Sequence, residues 1–209
     1  AGLPINRFVF CCFNKHYKIT PTTFIVWMRI LKQVEGSVLW LTDASSAIIN
    51  NLRREATQNG VKGDRLIFAP RLAFKEDHLS RMKLADLFID TLPYNAHTTS
   101  SDALRMGVPV LTCIGKSFTS RVAASLLNAV NLPELITTSL DHYELLAIKL
   151  ATDLEEFRVI KDKLANNLST APLYDTKLFT KHLESAYILM YEQCFKGMNP
   201  KDIYLEIDK

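Results

Sequence analysis

The chain has 209 residues, 48% of them hydrophobic, and a formal net charge of +3, enough apolar matter for one full core and too little charge to imply a nucleic-acid partner. No Lys/Arg run changes that, and no apolar stretch reaches the roughly 20 residues of a membrane span. The first predicted strand is Arg7 to Phe13 (RFVFCCF), apolar on both faces. A loop, Asn14-Lys15-His16-Tyr17-Lys18, leads to a helix capped by Thr20, with Pro21 at its first position and Phe24, Trp27, Met28 and Leu31 on one face. Val38 to Thr42 is the second strand; Asp43 or Ser45 caps the next helix, which Asn59-Gly60 closes. Arg65 to Ala69 is the third strand, and Lys75 to Leu84 a short helix.

The stretch from Ala85 to Thr112, ADLFIDTLPYNAHTTSSDALRMGVPVLT, organises the rest. An apolar strand ends at Asp90-Thr91. A polar loop and the run Thr98 to Asp102 then lead into a short helical segment, Ala103 to Met106, ended by Gly107 before a further strand to Thr112. Such a helix start offers unpaired N–H groups, the positive end of a helix dipole and hydroxyl donors, which suit a phosphate. Thr99-x-x-Asp102 reads equally as a plain capping box.

Ser117 to Val130 is predicted helical, Leu135 to Thr138 a sixth strand, and a helix capped by Ser139 or Asp141 runs to about Thr152. Two amphipathic helices follow, Leu154 to Leu168 and Lys177 to Phe195. The expected organisation is a Rossmann-like domain over 1–152, C-terminal helices over 153–196, and a tail of weak pattern over 197–209. Six alternating strands and helices without a hairpin signal make a doubly wound α/β fold: a parallel sheet with helices on both faces and a ligand site at the strands' carboxyl ends. Cys11, Cys12, Cys113 and Cys194 have no metal-ligand spacing and read as buried thiols of a reducing compartment, which suggests a cytoplasmic protein.

The polar residues gather at those carboxyl ends. Lys15, His16 and Lys18 follow the first strand; Lys75, His78 and Arg81 the third; His97, Thr98, Thr99 and Asp102 the fourth. Each alone reads as solvated surface, but three separated loops bringing cations and hydroxyls to one edge point to a pocket for a doubly phosphorylated ligand. Neither GxGxxG after a strand nor GxxxxGK[ST] occurs, so a standard dinucleotide site and a P-loop are not indicated.

At FNKHYKITP, SVLWL, FKEDHLSR, LADLFIDTLPYNAHTTSSDALRMGVPVLT and SRVAASLL, in that order, the chain resembles the C-terminal half of the catalytic region of the O-linked N-acetylglucosamine transferase family, in its bacterial form. These are GT-B enzymes, which usually carry N-terminal tetratricopeptide repeats. The resemblance implies that Lys18 contacts the donor diphosphate and stabilises charge on the leaving nucleotide as the catalytic cation. It implies that His97, Thr98 and Thr99 hold the diphosphate, that Asp102 takes ribose hydroxyls, and that Lys75, His78 and Arg81 line the uridine, His78 packing on the base. Lys15 would reach the diphosphate, although the family often has Gln there, and the loop before Lys75 is one residue longer than in the animal members. The implied reaction is inverting transfer of N-acetylglucosamine from UDP-GlcNAc to a protein Ser or Thr hydroxyl, with no metal, no cofactor and the nucleotide sugar as substrate. The acceptor site and general base are expected on an N-terminal lobe outside this chain, which reads as a piece of a longer protein. The piece alone would then bind the donor weakly and transfer little sugar. The final helices either pack toward that lobe or cover this sheet. A related O-fucosyltransferase using GDP-fucose, and a non-catalytic nucleotide-binding scaffold, are the alternatives; HTT leans toward uridine, and joint retention of Lys18, His97, Thr98, Thr99 and Asp102 argues against a scaffold.

Overall fold

The computed structural model describes residues 2–205. Six strands form one all-parallel sheet: β1 (Val9–Cys12), β2 (Val38–Thr42), β3 (Leu66–Ala69), β4 (Leu87–Ile89), β5 (Val110–Cys113) and β6 (Ile136–Thr137). Their order is β3-β2-β1-β4-β5-β6. The chain runs outward from β1 in one direction and from β4 in the other, so a crevice opens between the carboxyl ends of those two strands. The doubly wound reading therefore holds, although β6 is only two residues long.

The strands read as continuous apolar runs because helices cover both faces: β1 and β5 are buried at every position. The helix α1 (Pro21–Gln33) starts where Thr20 accepts a hydrogen bond from the Thr23 N–H, and it buries Phe24, Trp27, Met28 and Leu31 at helical spacing. Its carboxyl end is clamped by Arg65, whose guanidinium donates to the carbonyls of Leu31, Val34 and Ser37. In α2 (Ser46–Gln58) the cap is Ser45, and in α6 (Leu140–Thr152) it is Ser139. Trp27 and Tyr143, both fully buried, join α1 to α6 through a Trp27 Nε1 to Tyr143 hydroxyl bond of 3.2 Å.

Between these lie α3 (Lys75–Met82), α4 (Thr98–Arg105) and α5 (Val122–Ala129). The helix expected over Ser117 to Val130 is divided: Phe118–Ser120 is a 3-10 turn, and only Val122–Ala129 is α-helical. The turn is tight, since a Cβ on Gly115 would lie 2.4 Å from the Ser120 hydroxyl. Gly107 ends α4 as expected, at φ +76°.

The chain divides into two compact units, one through Ser169 and one from Thr170. The first includes α7 (Leu154–Leu168), whose Phe157 ring lies edge-on to Phe8 at 5.2 Å. The second consists of a 3-10 turn, Pro172–Tyr174, and the twenty-residue α8 (Thr176–Phe195) capped by Asp175. No residue of α8 is fully buried; Phe179, Tyr187, Tyr191 and Phe195 are exposed. Residues 198–205 take no regular secondary structure, and residues 206–209 of the expected tail lie outside the described residues. Cys11, Cys12 and Cys113 are buried, but Cys194, on α8, is exposed, against the expectation for all four thiols.

Candidate nucleotide site

The crevice is built around a carboxyl group. β4 ends at Ile89, and Asp90, directly after it, is 3% exposed. Its Oδ1 accepts from the backbone N–H groups of Thr91 (2.7 Å) and Ala96 (2.6 Å) and from Asn14 Nδ2 (3.2 Å). Its Oδ2 accepts from the Thr112 hydroxyl (2.7 Å) on β5, and its own carbonyl accepts from the Tyr143 hydroxyl (2.9 Å). One side chain thus closes the Thr91–Ala96 loop, which contains a cis Leu92–Pro93 peptide, and ties it to β5 and to Asn14, two residues after β1. Burial pushes this carboxyl up to about 7, outweighing the hydrogen bonds from Thr112, Ala96, Thr91 and Asn14 that favour ionisation.

Bond directions around Asn14 are fixed by exhaustion of donors. The Thr91 hydroxyl donates to the Tyr94 carbonyl (2.6 Å) and so accepts from Asn14 Nδ2 (2.8 Å). With Nδ2 shared between Thr91 and Asp90, Asn14 turns Oδ1 toward α4, where it accepts from the Thr99 hydroxyl at 2.7 Å. For Thr99, the expectation of a hydroxyl donor at the helix start is therefore corrected. Thr99 spends its proton inward, and the Ser100 hydroxyl is buried with no partner. Thr98 alone of these three is exposed.

The helix start differs from the sequence reading too. α4 is helical from Thr98 rather than from Ala103, and no side chain caps it. The capping-box reading fails because Thr99 lies in the second helical position with its hydroxyl on Asn14. What remains at this end are the first-turn N–H groups, which no helix satisfies internally, and the positive end of the dipole.

Lys18 arrives from a 3-10 turn, His16–Lys18, after β1. Its Nζ donates to the Asn95 carbonyl (3.0 Å) and lies 3.7 Å from the centroid of Tyr94. Partial burial lowers its pKa, opposed by the nearby Asp90 and Cys12. His97, the residue before α4, puts Nε2 3.4 Å from the Thr119 carbonyl and its ring 5.3 Å from Tyr94. Lys18 and His97 therefore meet at Tyr94, and Thr99 is linked to the same loop through Asn14 and Thr91.

A second group lies along α3. Arg81 Nη2 donates to His78 Nδ1 (2.7 Å), and Arg81 also donates to the Pro70 carbonyl. His78 sits edge-on to Phe13 at 5.6 Å, and the Arg81 guanidinium lies over the same ring at 5.5 Å. Burial lowers the His78 pKa, with Arg81 and Lys75 adding to the effect and Asp102 opposing it, so the imidazole is neutral at pH 7. Asp102, half-buried on α4, thus faces the α3 group. Lys15 and Lys75 are exposed at the ends of the 3-10 turn and of α3.

Sequence reasoning passed over Asn14, Asp90, Thr91, Asn95 and Thr112. The signal that finds the first two is a polar residue closing an otherwise apolar strand; it becomes decisive once β1 and β4 are known to be neighbours. Among the described residues no three His, Cys, Asp or Glu side chains are grouped to hold a metal, and no helix is long and apolar enough to cross a membrane.

Residues 1–183 match the model of a protein family described as glycosyl transferase family 41. The chain is 37% identical over 201 residues to a probable UDP-N-acetylglucosamine--peptide N-acetylglucosaminyltransferase, SEC, of Arabidopsis thaliana, covering 96% of this chain and 20% of that protein. It is 34% identical over 196 residues to the UDP-N-acetylglucosamine--peptide N-acetylglucosaminyltransferase of Caenorhabditis elegans, covering 94% of this chain and 17% of that protein. Among solved structures it superposes on a lysine-to-methionine mutant of the Thermobaculum terrenum O-GlcNAc transferase with a TM-score of 0.84 at 32% identity, over 91% of this chain and 37% of the other. The chain therefore spans about a fifth of the length of these curated relatives.

Proposed function

We propose, for a chain that belongs to glycosyl transferase family 41, that it is the donor-binding half of an inverting, metal-independent enzyme moving N-acetylglucosamine from UDP-GlcNAc to Ser or Thr hydroxyls of proteins. The observation that carries this is that Lys18, bonded to the Asn95 carbonyl after β4, and the uncapped start of α4 both follow the carboxyl ends of β1 and β4 at the switch point. In the transfer, the acceptor oxygen bonds to the anomeric carbon on the face opposite the nucleotide. The bond from that carbon to the β-phosphate oxygen breaks, and its electron pair leaves with UDP. The charge that grows on the leaving phosphate is met by the Lys18 ammonium and the first-turn N–H groups, preorganised donors that need not rearrange. His97 stands at the same end of α4, held by Thr119. The α3 group, with a neutral imidazole beside Phe13 and the guanidinium bonded to it, offers a polar wall for the pyrimidine.

The acceptor oxygen, its general base and the protein substrate belong in this reading to a partner lobe of the full-length enzyme. The fragment binds UDP and does not transfer sugar by itself.

Isothermal calorimetry with UDP and GDP tests the reading. UDP is expected to bind more tightly than GDP. Lys18→Ala should weaken UDP by about 10- to 100-fold, the worth of one charge-assisted hydrogen bond of roughly 1.5–3 kcal/mol. No heat with UDP at millimolar concentration, or an unchanged affinity in the Lys18 variant, would overturn it.

A further inference from the structure

We infer that Asn14 and Asp90 act together as the positioning pair of this donor site, setting the register of α4 against Lys18 without touching the nucleotide. The inference rests on the donor-binding reading above and adds to it the device that holds the anion-binding groups in place.

The geometry is a continuous chain of bonds. Thr112 on β5 and the N–H groups of Thr91 and Ala96 converge on the Asp90 carboxyl. Asn14, two residues after β1, donates to Asp90 and Thr91 and accepts from Thr99 in the first turn of α4. The loop so closed contains Tyr94 and Asn95, the ring and the carbonyl on which Lys18 rests. The Asn95 side chain braces it again, donating to the Thr91 carbonyl at 2.8 Å, and its backbone N–H donates to the Thr119 carbonyl at 2.9 Å. Asn14 and Asp90 are both almost wholly buried, at 2% and 3% exposed. A carboxamide is the residue this role demands, because Asn14 must donate on one side and accept on the other. A site whose donors must stand ready for a developing charge needs such a second layer of support.

The isosteric substitution Asn14→Asp isolates the device. It keeps the oxygen that Thr99 needs but sets a second carboxyl oxygen where Nδ2 donates, 3.2 Å from Asp90. When both carboxyls are ionised they repel and the link to α4 opens. When the pair holds one proton, that proton replaces the donor toward Asp90, and the Thr91 hydroxyl can rotate to donate to the new carboxyl oxygen. The other titratable groups near Asp90 are Cys12 on β1, Lys18 after it, Cys113 on β5 and Tyr143 on α6. All four are common to the variant and the unaltered chain, so the ratio of their UDP affinities at each pH removes these groups and the titration of UDP itself.

The experiment is calorimetric titration of UDP into both proteins at pH 5.5 and pH 8.0. The expected ratio is near one at the lower pH and about tenfold weaker binding by the variant at the higher, tenfold being 1.4 kcal/mol. Should Asn14→Asp not fold, Asn14→Ala reads the same link, with an expected loss of about tenfold at both pH values and unchanged helical content by circular dichroism. If the unaltered chain binds no UDP, the donor-binding reading falls and the inference with it. If it binds UDP and the ratio is the same at both pH values, or Asn14→Ala binds normally, the positioning role alone is overturned.

Discussion

The two sides of the crevice are held by different means. Between β1 and β4 the side chains that shape the α4 start are held by protein partners: Asp90 receives four donors, Asn14 makes three bonds, and Lys18 rests on a backbone carbonyl. Along α3 the corresponding groups are tied mainly to each other, His78 to Arg81, with Phe13 beneath both. The first side is buried and anchored to the sheet; the second is half-exposed on an eight-residue helix. A buried network holds one geometry because each missing bond is costly, whereas an exposed pair can exchange partners with water. In the donor-binding reading, the side assigned to the leaving phosphate is the rigid one, and the side assigned to the base is the adaptable one.

The sharpest way to break this contrast is Asp90→Ala. It leaves two backbone N–H groups, the Asn14 amide and the Thr112 hydroxyl without their acceptor in the interior. The expected loss is about 3–5 kcal/mol of unfolding free energy in urea melts, the range for a disrupted buried network. A loss below about 1 kcal/mol would mean that the loop is held by its other contacts and that Asp90 is not the anchor.

Asp90→Asn sharpens the same point with a smaller effect. Its folded carboxyl titrates near 7 against an ordinary value of 3.8. Between those values the native state holds a proton that the unfolded chain has released. The favourable contribution of this group is therefore complete below about pH 4 and is lost as pH rises toward 7. The half-buried Asp86, also raised by burial, acts in the same direction. The expected outcome is that stability of the unaltered chain declines from pH 4 to 7 more steeply than that of Asp90→Asn. Denaturant midpoints that run parallel across this window would show that Asp90 does not carry the proton.

The same contrast explains what the sequence disclosed. Strand positions, the Thr20-Pro21 start of α1 and the Gly107 stop of α4 follow from local chemistry, and all are found close to where the residues place them. Lys18, His97 and Thr99 are legible as a group because they follow the carboxyl ends of neighbouring strands at one sheet edge. The role of Thr99 is not, because the direction of its hydroxyl depends on Asn14, 85 residues earlier. Asn14 depends in turn on Asp90, 76 residues away. The Thr99 hydroxyl, read as a donor toward a ligand, donates toward the protein, a distinction made by tertiary hydrogen bonding and invisible to spacing. The start of α4 is hidden from spacing for a related reason. Thr, Thr, Ser and Ser favour caps over helix interiors, yet here they are helical because Asn14 and the packing of Ala103 and Leu104 override that preference.

The smallest effect belongs to the adaptable side. His78 meets Phe13 by its edge and Arg81 by Nδ1, and it carries no charge at neutral pH, so His78→Ala removes a surface rather than a charge. Partly exposed, it should change stability by no more than about 0.5 kcal/mol. In the donor-binding reading it should weaken UDP by about threefold to tenfold, within the span of a single lost stacking contact of roughly 1 kcal/mol. Inorganic pyrophosphate, which has no base, separates the two sides. Its affinity should be untouched by His78→Ala and reduced by Lys18→Ala. Equal loss for UDP and pyrophosphate in the His78 variant would move that residue to the phosphate side and erase the division of the crevice. A selective loss for UDP would assign α3 to the base and leave the Asn14–Asp90 network to hold the diphosphate-binding groups.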